Sequence, residues 1–232
     1  MNKYRLILYV LLIATSFNLQ AQNKVEKKNV MFNYGIKIGT NASTYNTTKF
    51  DIDGYKYDKQ AIHSNKIGFS VSPFIRLTKW DFYLQTECDL GMTNQSFDLV
   101  EIEPADNLTA KKAKYELTTY CIQVPLLFGY NFIDNNIYGM SIFTGPKTKF
   151  ILTAHDKQHF ENFNLDLYED LRSRIYYWEI GLGVKIHRIF FDFALDIGLS
   201  RHTNGIIAKE TNKKYYANRS DSNLSFSIGI IL

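Results

Sequence analysis

The run YCIQVPLLFGY, Tyr120–Tyr130, decides the fold. Taken as one apolar block, it is a buried helix broken at Pro125. Taken residue by residue, it alternates. Ile122, Val124, Leu126, Phe128 and Tyr130 fall on one face, with Gln123, Pro125, Leu127 and Gly129 on the other. A period of two belongs to a strand, because successive side chains point to opposite faces. Proline at mid-strand removes one ladder donor, so a bulge or bend is expected at Pro125. Pro73 and Pro146 raise the same expectation in their own strands.

The alternation recurs along the chain. In Met31–Asn41, Phe32, Tyr34, Ile36 and Ile38 oppose Asn33, Gly35, Lys37 and Gly39. In the next stretch Ile67, Phe69, Val71, Pro73, Ile75 and Leu77 form the apolar face. A third sets Phe82, Leu84, Thr86, Cys88, Leu90 and Met92 against Tyr83, Gln85, Glu87, Asp89 and Gly91. After the opening run come Tyr138–Pro146, Trp178–Ile186, Phe191–Leu199 and Leu224–Leu232, each apolar at every second position. Eight strands result. Links after the second, fourth and sixth are short: residues 78–81, 131–136 and 187–188. The other links are polar and about twenty residues long on this reading. Short turns at one end and long loops at the other are the pattern of an even-stranded transmembrane barrel, for which eight strands is the smallest bacterial size.

A soluble barrel also alternates, with its apolar face turned inward. Two further features favour the membrane form. The polar face is rich in glycine and carries Lys37, Arg76, Glu87, Asp89, Lys147, Glu179, Lys185, Asp192 and Asp196. Both signs are present, as a narrow lumen filled by paired charges requires. Aromatics also gather near the short turns: Trp80, Phe82, Tyr130, Phe132, Tyr138, Phe190 and Phe191. That grouping is expected of an interfacial girdle.

The N-terminus reads MNKYR, then an apolar run from Leu6 to Phe17, then NLQAQ. A basic leader, a short apolar core and Ala21 read as a signal peptide over residues 1–21. Residues 22–30 follow as a periplasmic segment, and 31–232 form the barrel domain. Formal charge is +4, of which Lys3 and Arg5 lie in the leader, leaving about +2. So small an excess, with no basic cluster among the aromatics, argues against nucleic acid. Sixteen Tyr and seventeen Phe suit a β-rich chain.

The run IQVPLLFGY resembles the strand-four signature of PorT-like outer-membrane β-barrel proteins of Bacteroidetes, close to "leIPlllky". GIKIGTN is similar to their first strand "GvkaGlN", IFTGPKTKFIL to "aGpyvgyll" and WEIGLGVKI to "fglvlGaGv". The similarity spans about residues 30–232. It implies location and fold, with the outer-membrane lipid as surroundings and the barrel-assembly machinery as a partner in biogenesis. Members are functionally diverse, and the founding member serves type IX secretion and gliding.

Candidate chemistry is sparse. His155 and His159 lie four apart, with Asp156 and Glu161 beside them, in what reads as a long loop. On a helix that spacing would clamp a metal, although no third ligand is fixed. Ser200, His202 and Glu210 are the candidates for a nucleophile, base and acid of an acyl hydrolase. Glu87 with Asp89, and Asp192 with Asp196, are pairs available for acid–base work, but a filled lumen calls for such groups as salt-bridge partners. No metal, cofactor or catalytic residue is assigned. Cys88 has the lipid-facing parity and Cys121 the lumen parity, so two free thiols are expected.

The sequence thus predicts an all-β fold: an eight-stranded antiparallel up-and-down transmembrane β-barrel with short periplasmic turns and four long extracellular loops. It is expected to be a monomer in the outer membrane, with a filled lumen and no porin activity. Its expected role is structural or surface-binding. Tyr55, Tyr57, Lys111, Lys112, Tyr168 and Tyr215 in the loops would meet an extracellular ligand. The alternatives are an accessory of type IX secretion or gliding, and an outer-membrane lipid-modifying enzyme.

Overall fold

The computed structural model describes residues 30–50, 55–57, 67–101, 112–135, 137–160, 167–208, 214–215 and 217–232. The expected signal peptide lies outside them. Eight barrel strands follow the chain in order. The first four are Met31–Phe50, Ile67–Lys79, Phe82–Glu101 with a break at Cys88, and Lys112–Asp134. The last four are Tyr138–Phe160, Arg174–Ile186, Ile189–Gly198 and Ala217–Ile231. Each pairs antiparallel with its neighbour. The first strand also pairs with the eighth, from Gly35 opposite Ile231 to Phe50 opposite Ala217, and this closes the ring.

Side-chain parity decides which face is inside. Phe128 is 54% exposed while its neighbour Leu127 is 1% exposed. The same inversion runs through every barrel strand: Ile38, Phe69, Leu182 and Phe193 face outward, while Lys37, Glu87, Glu179 and Asp192 are buried. A soluble barrel would show the reverse. The apolar outside is the surface a bilayer covers. On the fourth strand it runs from Tyr120 to Tyr130, about the length that crosses a bilayer at a tilt.

Several strands are longer than the alternating apolar stretch announces. The fourth and fifth have 23 residues each. Lys112–Thr119 and Thr153–Phe160 continue the ladder beyond the apolar belt. Polar residues there satisfy their backbone across the hairpin, so segments read as loop are sheet. His155 and His159 are among them, on the fifth strand rather than in a loop. Three short strands, Leu167–Leu171, Thr203–Ala208 and Lys214–Tyr215, form a separate small sheet. At the opposite end two turns place a residue other than glycine in the left-handed region, Trp80 at φ 57° and His187 at φ 56°.

The prolines behave differently from expectation. Pro73 stays opposite Ile36, Pro125 opposite Lys147 and Pro146 opposite Trp178, each in an unshifted register. Register shifts fall elsewhere, at Tyr120/Cys121 and at Asn131/Ile133. The consequence of proline shows on the third strand, which is interrupted at Cys88. Cys88 N–H still donates to Pro73 O at 3.0 Å, and Thr86 Oγ1 donates to Pro125 O at 2.9 Å. Prolines on both flanking strands supply no donor in return, so the ladder opens there without a bulge. Both cysteines are free, Cys88 exposed and Cys121 buried.

Six of the seven aromatics near the short turns point outward or lie at the rim, including Trp80, Tyr138 and the Phe82–Tyr130 contact at 5.0 Å. Phe190 does not. It is 2% exposed and packs edge-on against Phe74 at 5.2 Å, inside the barrel. Its place in the chain, next to the His187–Arg188 turn, suggested a girdle residue. The parity of Phe191, which has the outward side, excludes that.

Phe190 belongs to a packing device that fills this end of the lumen. Phe74 stands opposite Gly35, Tyr83 opposite Gly129, Phe143 opposite Gly181 and Phe190 opposite Gly229. Each ring occupies the volume that a side chain on its partner would need. A Cβ on Gly129 would lie 2.0 Å from the Tyr83 ring, one on Gly181 2.2 Å from Phe143, and one on Gly229 2.3 Å from Phe190. Such aromatic–glycine pairs also pin register. Gly129→Val is therefore expected to destabilise the barrel by about 1–3 kcal/mol through overpacking. Leu126→Val on the lipid face should change the urea midpoint of heat-modifiable gel mobility far less. Equal midpoints for the two variants would contradict this packing.

Candidate functional site

All nine charged residues singled out from the sequence project into the lumen, where alternation on different strands aims them at a common axis. Nearest the short turns, the Arg76 guanidinium lies 4.3 Å from the Tyr83 ring centroid, 5.6 Å from Phe190 and 5.8 Å from Phe74. Its Nε donates to Gln85 Oε1, and Gln85 Nε2 donates to Glu87 Oε1. Glu87 in turn binds Lys37 at 2.7 Å, and Lys37 lies 3.8 Å from Asp192. One continuous polar chain thus joins the aromatic layer to the charged layer above it.

On the other side of the lumen, Glu179 and Asp196 are direct cross-strand partners. Like charges in that relation repel. Lys147 resolves the conflict by sitting 3.2 Å from Glu179 and 2.9 Å from Asp196. Lys185 pairs with Asp134 at 2.9 Å near the short-turn end. Buried ion pairs of this kind gain their worth from mutual compensation, and removing one member leaves an uncompensated charge.

Three buried groups, Lys149, Tyr177 and Asp221, were not singled out from the sequence, and a fourth, His202, was raised only as the base of an acyl hydrolase. Lys149 is 1% exposed and donates to Thr93 Oγ1 at 3.1 Å. By the same alternation as Lys147 it lies on the polar face of its strand. At the long-strand end, Tyr177 OH donates to Asp221 at 2.7 Å, and His202 Nδ1 lies 3.7 Å from Asp221. Asp221 sits in a polar stretch, RSDSN, with no apolar face to mark its strand. Only the pairing of Tyr45 with Asp221 shows that the strand extends this far.

The remaining candidates separate. Ser200 Oγ accepts the Tyr176 backbone N–H at 2.9 Å, and His202 is fully buried, facing Asp221. Glu210 lies outside the described residues. His155 and His159 pair with Thr118 and Lys114 along one strand. Four residues on a strand span about 13 Å, too far for one ion to bridge. The side chains of Tyr55, Tyr57, Lys112, Tyr168 and Tyr215, and all of Lys111, lie outside the described residues. A second set of exposed aromatics, Tyr120, Tyr176 and Trp178, lies toward the long-strand end of the apolar belt.

Two small cavities remain, of about 30 Å³ in the charged layer and about 60 Å³ near Arg76. Each is large enough to hold water. Lys37→Met, which strips the counter-charge from Glu87 and Asp192, should cost about 3–5 kcal/mol. Adding Glu87→Gln should restore part of that loss. A double-mutant cycle on urea midpoints reads the coupling, and simple additivity would show that the pair is not compensating.

The family described as outer membrane protein beta-barrel domain matches residues 20–204. Among solved structures, the chain is similar to the outer membrane protein OprG from Pseudomonas aeruginosa. That match has 11% identity and a TM-score of 0.48, covering 89% of this chain and 97% of that one. Neisserial surface protein A matches with 10% identity and a TM-score of 0.39, covering 88% and 99%. The outer membrane protease OmpT from Escherichia coli matches with 8% identity and a TM-score of 0.43, covering 91% and 99%. No curated protein matches.

Proposed function

Because the chain belongs to the outer membrane protein beta-barrel domain family, we propose that it is a non-conducting, non-catalytic barrel that presents a binding platform at the cell surface. The observation that carries this is the mismatch between strand length and membrane thickness. A 23-residue strand is about 75 Å long at 3.3 Å per residue, and rises about 55 Å along the barrel axis at the usual tilt of about 40°. The apolar band of such barrels is only about 25 Å tall. Short turns belong to the periplasmic side in this class, so the excess sheet stands outside the cell. A filled lumen supports this surface and carries no traffic. The finer placement, among PorT-like proteins of Bacteroidetes, is part of the same proposal and rests on IQVPLLFGY and its companion motifs.

The platform can be removed at a defined rung. Asn94 and Thr118 are paired, and Thr118 Oγ1 donates to Asn94 Oδ1 at 2.9 Å. Joining them through an Asn-Gly turn deletes the outer part of that hairpin. The shortened protein should remain heat-modifiable and fractionate with outer membranes. On intact cells, proteinase K should cut the full chain outside the barrel, and surface cross-linking to partners should be lost in the shortened form. Planar-bilayer recordings of either form should show no steady conductance. A stable open pore, or unchanged cross-linking after truncation, would overturn the proposal.

A further inference from the structure

The cavity in the charged layer is lined by three lysines, Lys37, Lys147 and Lys149. Against them stand five carboxylates, Glu87, Asp89, Glu179, Asp192 and Asp196. Counted formally, the lining carries two more negative than positive charges. Groups beyond the cavity do not remove the excess. Arg76 adds a positive charge below, Lys185 and Asp134 cancel each other, and Asp221 adds a negative charge above.

A second observation points the same way. Asp196 Oδ1 and Asp89 Oδ1 are buried and have no hydrogen-bond partner. Asp196 is 2% exposed, and its other oxygen is held by Lys147. Asp89 is 9% exposed and, among the described residues, makes no ion pair. Both line the same cavity. An unpaired buried acceptor is costly, and an unpaired buried charge more so. Water would satisfy the acceptors but would leave the charge in place.

We propose that the mid-lumen cavity binds a monovalent metal cation, with Asp89 Oδ1 and Asp196 Oδ1 as its open acceptors. Among the described residues, no group of three His, Cys, Asp or Glu converges as a chelate for a metal ion. The site is accordingly one for a weakly dehydrated ion, held by the local field and keeping some of its water, rather than a divalent chelate. The ion is a structural counter-charge that locks the layer shut. This inference is independent of what the outer platform binds.

The test compares urea unfolding of the folded barrel in detergent in sodium chloride and in N-methyl-D-glucamine chloride, at pH 8 and equal ionic strength. Above the dissociation constant, each tenfold rise in sodium should lower the unfolding constant about tenfold. N-methyl-D-glucamine, too large for the cavity, should have no such effect. Asp89→Asn, which leaves no lysine without its partner, should flatten the sodium dependence. Wild-type crystals soaked in thallium(I) acetate should show an anomalous peak between Asp89 and Asp196, an outcome that holds even where the variant does not fold. Identical curves in the two salts, an undiminished sodium slope in Asp89→Asn, or no thallium peak would each overturn the proposal. So would stability that rises on acidification with no dependence on the cation, since protons would then neutralise the layer.

Discussion

Closure of the backbone ladder between the first and eighth strands is the constraint on which everything else depends. In hydrocarbon an unpaired N–H or C=O has no water to turn to, so a spanning sheet must have no edge. Gly35–Phe50 against Ala217–Ile231 supplies the last seam. Once the ring is closed, every residue in it has only two destinations, lipid or lumen, assigned strictly by parity. Cys88 and Cys121 illustrate how firm that assignment is. They lie on adjacent strands yet face opposite sides, and the register shift at Tyr120/Cys121 does not undo this.

Closure at eight strands also fixes what the lumen must be. The interior is too narrow for bulk water and too polar to be an oily core, so it has to be filled by groups that satisfy one another. The chain solves this in layers. Aromatic rings over glycines fill the end near the short turns by volume alone, because each ring uses the space its partner lacks. Arg76 caps these rings and passes hydrogen bonds through Gln85 to the charges above. The glycines of the polar faces are thus partners in packing.

Eight strands, their lipid faces and the lumen charges were legible in the sequence because each depends on parity, which is local. Phe190 shows where that stops. Proximity to a turn suggested the girdle, although the alternation with Phe191 already turns Phe190 inward; what only pairing reveals is that Gly229 makes room for its ring. The extended hairpins were read as loops because alternation of hydrophobicity fades outside the membrane while the backbone ladder continues. Asp221, and with it the partner of His202, was missed for the same reason: polar residues in a polar stretch carry no periodic signal. The bulges expected at the prolines are absent, because the missing donors are felt on the neighbouring strand, where the ladder opens at Cys88.

The two halves of the molecule answer to different selection by their surroundings. Within the bilayer, each substitution is judged by lipid outside and by a crowded, charge-balanced interior. An additional charge there disturbs partners on several strands at once, as Lys147 between Glu179 and Asp196 shows. Beyond the apolar belt, the same strands keep their backbone ladder without the lipid that sets the outer face within it. Under the proposed function, a filled base carrying sheet beyond the apolar belt separates stability from recognition: the lumen sets how firmly the platform is held, and the outer sheet carries the contact chemistry.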